Sequence, residues 1–171
     1  MTIQTEIQKT AVSGLIELFT LDLTPIGGSV LQFTPNTVEG TSSVAFGGTV
    51  YMALPITGSG WETSIDGAPP RPTLTISNVT RFIQSYLNLY NDLVGASVTR
   101  TLTLEKFLDS GSSPDSSQIL FSDKFRISQK SRQNKREVEF VLSSVLDTAN
   151  FKLPRRQVLR TTFPGAGLFR K

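Results

Sequence analysis

The feature that most limits how this chain can fold is its apolar spacing. Apolar residues recur at every second position in short runs, and each run ends at Gly, Pro or a polar cluster. Successive side chains of a strand point to opposite faces, so such runs predict short, half-buried β-strands. Leu15 to Leu23 is the first, with Leu15, Glu17, Phe19 and Leu21 on one side and Ile16, Leu18, Thr20 and Asp22 on the other. Apolar residues on both sides predict that both faces are partly covered. Val30 to Phe33 follows a turn at Thr24–Gly28. Val44–Phe46, Gly47-Gly48 and Thr49–Tyr51 spell a strand, a two-residue turn and a strand, since glycines accept the positive φ such hairpins demand. Pro55 closes that strand, and Gly58 to Pro72 reads as a long loop with Trp61 inside it. In Thr73 to Val79, Leu74, Ile76 and Asn78 share a face.

The period changes once. Over 81–94, Phe82, Tyr86, Leu89, Tyr90 and Leu93 recur at spacings of three and four, the stripe of an amphipathic helix, with Thr80 as its cap and Gly95 as its stop. Period two returns in Ser97 to Leu108, broken at Arg100. Asp109 to Ser117 is a polar loop, and Ile119–Ser128 and Glu137–Ser144 form a hairpin across a basic loop, Gln129 to Arg136. At the N-terminus, Ile3 and Ile7 lie one turn apart on a short helix within residues 2–11. The expectation is a mainly β fold, a β-sandwich or small barrel, with one mid-chain α-helix (81–94) and a short N-terminal helix. Residues 1–150 make a single β-rich domain, and residues 151–171 a basic C-terminal arm.

Composition narrows the chemistry. The 171 residues contain no Cys and no His. Disulfides and thiolate metal sites are excluded, and so are the commonest metal ligand and the one side chain that titrates near neutrality unaided. No cofactor is expected. An enzyme would have to rely on carboxylates, Lys, Tyr or hydroxyls, and Asp22, Glu62, Asp66, Glu105, Asp109, Asp115 and Asp123 are scattered instead of paired. Gly27-Gly28 and Gly47-Gly48 are not phosphate loops, since neither precedes a helix with Lys-Ser or Lys-Thr. No stretch has the length of a signal peptide core or membrane span, so the chain reads as soluble and made in a cytoplasm.

Net charge is +3, unevenly spread. Lys124 to Lys171 carries 12 basic and 3 acidic residues, whereas residues 1–123 carry 5 basic and 11 acidic. Such asymmetry fits a solvated basic face, an acidic protein neighbour or nucleic acid.

A set of motifs in a fixed order adds a resemblance. It comprises Leu21-Asp22-Leu23-Thr24, Phe46-Gly47, Tyr51, Pro55-Ile56 and Gly58-Ser59-Gly60-Trp61-Glu62. Arg71-Pro72-Thr73-Leu74-Thr75-Ile76-Ser77-Asn78, Leu93-Val94-Gly95, Phe107-Leu108-Asp109 and Val138 to Ser143 follow. Over residues 15–165 this order resembles the minor tail protein L family of lambda-like siphophages. The resemblance implies a tail tip component of the virion, assembled as a ring, threefold by analogy, between the distal tail tube and the central hub or receptor-binding protein. Longer members of the family continue past the position of Phe163-Pro164-Gly165 into a cysteine-containing segment that binds an iron–sulfur cluster. With no Cys in this sequence, no cluster is expected in it.

The residues expected to touch neighbouring subunits are Trp61, Arg71, Arg155, Arg156, Arg160, Phe163 and Phe169. Trp is a residue type favoured at interface centres, and Arg pairs with carboxylates in two places at once. Trp61 folded onto its own core is the competing expectation for that residue. The alternative function is a nucleic-acid-binding module using the basic C-terminal segment, although no recognised nucleic-acid module is present and no sequence-specific contact is expected.

Overall fold

A computed structural model describes residues 2–9, 12–38, 41–62, 70–145, 159 and 161–165. In chain order the elements are α1 (Ile3–Ile7), β1 (Leu15–Asp22), β2 (Val30–Thr34), β3 (Ser43–Phe46), β4 (Thr49–Ala53), β5 (Ile56–Ser59) and β6 (Thr73–Ser77). Then come α2 (Phe82–Leu89), β7 (Ser97–Leu104), β8 (Phe121–Gln133) and β9 (Glu137–Ser144).

The fold is mainly β, as the alternation predicts. All nine strands belong to one sheet in the order β3-β4-β2-β1-β7-β8-β9-β6-β5, and it is not closed into a barrel. Every neighbouring pair is antiparallel except β2 with β4. Directly paired residues point to the same face. Phe19 and Leu21 of β1 therefore share a face with Phe33 and Leu31 of β2, and Leu21 shares it with Val98 of β7. The same face carries Phe125 and Ile127 of β8, Val138, Phe140 and Leu142 of β9, and Leu74 and Ile76 of β6. Together with Ile83 and Leu87 of α2 they form one buried cluster. One sheet thus curls this apolar face around the main core, which draws on the strands from β2 across to β5.

The other face of β1 carries Ile16 and Leu18, which pack with Val44, Phe46, Tyr51 and Leu108 in a second cluster. This explains the apolar residues on both sides of β1. The β3–β4 hairpin packs onto this second cluster, and the open sheet ends at β3 on one side and β5 on the other. Gly47 and Gly48 have φ of 59° and 74°, as the predicted turn requires.

Several expectations need correction. First, α2 ends at Leu89 and not at 94. Asn91, Asp92 and Leu93 lie in the left-handed region, with φ of 46°, 59° and 60°. That conformation costs about 1–2 kcal/mol per residue. It turns the chain so that Leu93 enters the core fully buried and Gly95 donates to the Ile127 carbonyl at 2.9 Å. Ile83 and Leu87 are the deeply buried residues of α2, whereas Leu89 is 71% exposed. The cap is not Thr80: Arg81 precedes the helix at φ 57°, with no side-chain cap.

Second, the strand after Pro55 continues through Gly58 and Ser59, which pair with Leu74 and Thr73. Gly58 is required because a Cβ there would lie 2.5 Å from Trp61 Cζ2. Third, β8 extends through Gln133 with two bulges, so Lys130 and Arg132 sit on a strand and the turn is only Asn134–Arg136. The Asn134 side chain makes that turn, accepting from the amides of Arg136 and Glu137 at 2.8 and 2.7 Å. In α1, Ile3 and Glu6 are buried and Ile7 is exposed, because Glu6 turns inward to meet Lys9 and Lys106.

Candidate interaction surfaces

The break in alternation at Arg100 marks one end of the apolar face. In register, Arg100 stands beside Phe19 of β1 and Asp123 of β8. Its side chain is only 12% exposed and pairs with Glu17, which is 29% exposed. The guanidinium lies 4.7 Å from the Trp61 ring centroid and 5.2 Å from that of Phe121. Trp61 in turn rests on Phe125 and Phe19, with centroids 5.4 and 6.4 Å apart. Trp61 is thus half-buried, roofing the core edge and sandwiching a cation. Phe121 stands exposed beside this roof.

A second surface runs along α2. Phe82, Tyr86 and Tyr90 form a ladder of rings, with Phe82 edge-on to Phe33 at 6.0 Å and Tyr86 stacked near Tyr90 at 6.3 Å. Phe82 lines two shallow grooves, one toward Val30, Val50 and Met52 and one toward Ser85, Leu89 and Tyr90.

The third surface is the pole where the β8–β9 turn meets the start of α2. Asn78, Arg81, Gln84, Gln133, Asn134 and Lys135 line a groove there. Lys130 pairs with Asp92, and Arg132 with Glu137 at 3.7 Å. Among the described residues no carboxylate pairs with Arg81, Lys135 or Arg136.

The carboxylates anchor turns. Asp22 accepts from the Thr24 hydroxyl and from its amide at 2.9 Å, and the hydroxyl above all holds its carboxyl below the usual range. Asp115 is lowered likewise, first by the Ser117 hydroxyl and then by the Ser117 amide. Asp109 accepts from the Gly47 and Gly48 amides at 2.9 and 2.8 Å, clamping the β3–β4 turn. Asp22 and Asp115, held low by their own turns, suit anchoring and are poor proton donors near neutrality. Among the described residues no cluster of acidic side chains could hold a metal ion. No described helix is long and apolar enough to cross a membrane.

Of the residues expected at contacts, Trp61 is half-buried on the core, Arg71 is exposed beside β6, and Phe163 is exposed after a turn closed onto the Leu159 carbonyl. Arg155, Arg156, Arg160 and Phe169 lie outside the described residues. The structure does not bring Trp61 and Phe163 into one described cluster. Sequence alone does not single out the Arg100–Glu17 pair or the groove at Asn78. The broken alternation at Arg100 was the one available signal, and a groove assembled from residues 78–84 and 133–135 leaves none.

Similarity to known proteins adds the family. Residues 24–170 match the family described as phage minor tail protein L. The chain is also similar to the tail tip protein L of Escherichia phage lambda, 33% identical over 156 residues that make up 88% of this chain and 67% of that protein. Identity sustained over almost the whole chain leaves one conclusion: it belongs to the phage minor tail protein L family and is a structural protein of the phage tail.

Proposed function

We propose that this protein is a component of the tail tip that associates into a ring, threefold by analogy, between the distal end of the tail tube and the central hub or receptor-binding protein. The observation that carries this reading is the similarity over most of the chain to a protein named for the tail tip. The fold supports it: one open sheet curled around its main core, with edges at β3 and β5 and with Asp22, Asp109 and Asp115 bracing turns. A ring of more than two subunits needs a heterologous contact, in which one patch meets a different one. A chain with 12 basic and 3 acidic residues in Lys124–Lys171, against 5 basic and 11 acidic in residues 1–123, has segments of unlike net charge to offer.

On this reading Arg71, Arg155, Arg156, Arg160, Phe163 and Phe169 contact neighbours, and Trp61 contributes through the surface it roofs. The protein is placed in the virion and is made in the host cytoplasm. Gold-labelled antibody against the protein tests the position: label at the free end of the tail supports it, and label along the tube or at the head end refutes it. Arg155→Ala/Arg156→Ala tests the contact residues, because unchanged tail assembly with a correctly folded variant removes them. A nucleic-acid contact by the basic C-terminal segment is the second reading, favoured by the same charge asymmetry. It requires DNA binding that falls steeply as salt rises.

A further inference from the structure

The apolar face that forms the main core runs on past α2 without a cover. In the pairing of β2 with β4, Phe33 stands beside Met52, so Met52 lies on the core face, and Val50, two residues earlier, lies there too. The helix reaches this face at Phe82, whose ring meets Phe33 edge-on. Beyond it Met52 is 50% exposed and Val50 61%. The two shallow grooves that meet at Phe82 join these residues to Val30 on one side and to Tyr86 and Leu89 on the other, and no charged side chain lines either groove. A continuous exposed apolar patch marks a contact surface. The same chain carries an apolar knob. Leu159 and Phe163 are both exposed, and the Phe163 amide donates to the Leu159 carbonyl at 2.8 Å, a helical turn that sets the two side chains on one side. Neither belongs to a core cluster of the described residues. Knob and groove are thus both uncovered in the single chain, so the chain's own knob does not fill its own groove. Charge matches the knob of another copy: residues 151–171, which hold it, carry six basic residues and no acidic one, whereas residues 1–123, which hold the whole groove, carry 5 basic and 11 acidic. At the rim of the groove, Asp22 stands beside Val30 in register.

We propose that Leu159 and Phe163 of one copy seat in the groove between β4 and α2 of a second copy. Knob and groove are different surfaces, so two joined copies still offer a free groove at one end and a free knob at the other. Such a heterologous contact either closes into a ring or grows. The proposal deepens the tail reading by naming the surfaces through which copies meet, and it rests on that reading only for the association of copies.

The chain has no Cys, so single introduced cysteines report contacts without background. Full-length Met52→Cys and Phe163→Cys proteins, one of them enlarged by a tag, are mixed and treated with a short bismaleimide. The expected product is a mixed dimer. It does not form when Met52→Cys is replaced by Thr57→Cys, which is exposed on the opposite face of β5. Sedimentation of the parent chain at rising concentration shows association, and Phe163→Ser and Val50→Asp each weaken it about thirtyfold, the scale of a lost interface anchor. Both side chains are exposed, so the melting temperatures of the dilute variants stay at the parent value and separate association from folding. Phe163→Cys joined to itself and not to Met52→Cys overturns the proposal, as does a link formed within one chain of the Met52→Cys/Phe163→Cys double variant. So does association that neither variant changes, or a parent that stays monomeric at every concentration. A mixed dimer from a protein that is absent from the tail would contradict the tail reading alone. A ring in the tail without the mixed dimer would contradict this proposal alone.

Discussion

Replacing Arg100 by Met tests how the open end of the core is held. The change keeps an unbranched chain beneath Trp61 and removes the charge. Arg100 lies over Trp61 at 4.7 Å and Phe121 at 5.2 Å, and cation–ring contacts at a half-sheltered site contribute about 1 kcal/mol. Glu17, 29% exposed, would lose its ion pair. A fully buried pair broken on one side costs about 3–5 kcal/mol, and water access at Glu17 reduces that to about 1–2 kcal/mol. Against this, the Nε of Arg100 is buried without a partner, and removing it returns about 1 kcal/mol. The net loss is about 1–2 kcal/mol, a fall of about 3–8 °C in melting temperature for a chain of this size. Glu17→Met in the same background should restore most of it, because both charges then leave together. Thermal melts of the two single variants and the double variant give the coupling. If Arg100→Met melts with the parent, or the two losses simply add, the ion pair does not hold this end of the core.

Three more outcomes follow from the packing. Gly58→Ala places a methyl 2.5 Å from the Trp61 ring and should cost about 1–3 kcal/mol, with a red-shifted, more solvent-exposed Trp emission as the direct readout. Asp109→Ala removes both acceptors from the Gly47-Gly48 turn and should cost about 1–2 kcal/mol, with faster hydrogen exchange confined to β3 and β4. Glu6 has its carboxyl held low, first by its hydrogen bond to Lys9 and then by that to Lys106. A lowered folded-state value gives stability that is present above the ordinary Glu range and lost as pH falls below about 4. Glu6→Gln should therefore melt lower than the parent at neutral pH and converge with it in acid.

The strands were legible because one or both faces of each meet a core, and alternation records that directly. Phe19 and Leu21 against Ile16 and Leu18 is the clearest case, two clusters on two faces of β1. The β3–β4 turn was legible because only glycine takes two successive positive φ values easily. The end of α2 was not, since three residues other than glycine in the left-handed region leave no compositional mark, and the burial of Leu93 that sustains them is tertiary. The outer half of β8 was hidden for a related reason: Gln129 to Gln133 is polar, and it is a strand because β9 offers it a partner. The pairing of Arg100 with Glu17 depends on a register between β1 and β7 that alternation alone leaves open.

Electron cryo-microscopy of the intact tail shows whether this chain lies at the tip. The expected result is density for several copies of this nine-stranded fold, closed into a ring at the tube's free end above the hub. Absence of the fold from the purified tail, or a single copy away from the axis, would contradict it.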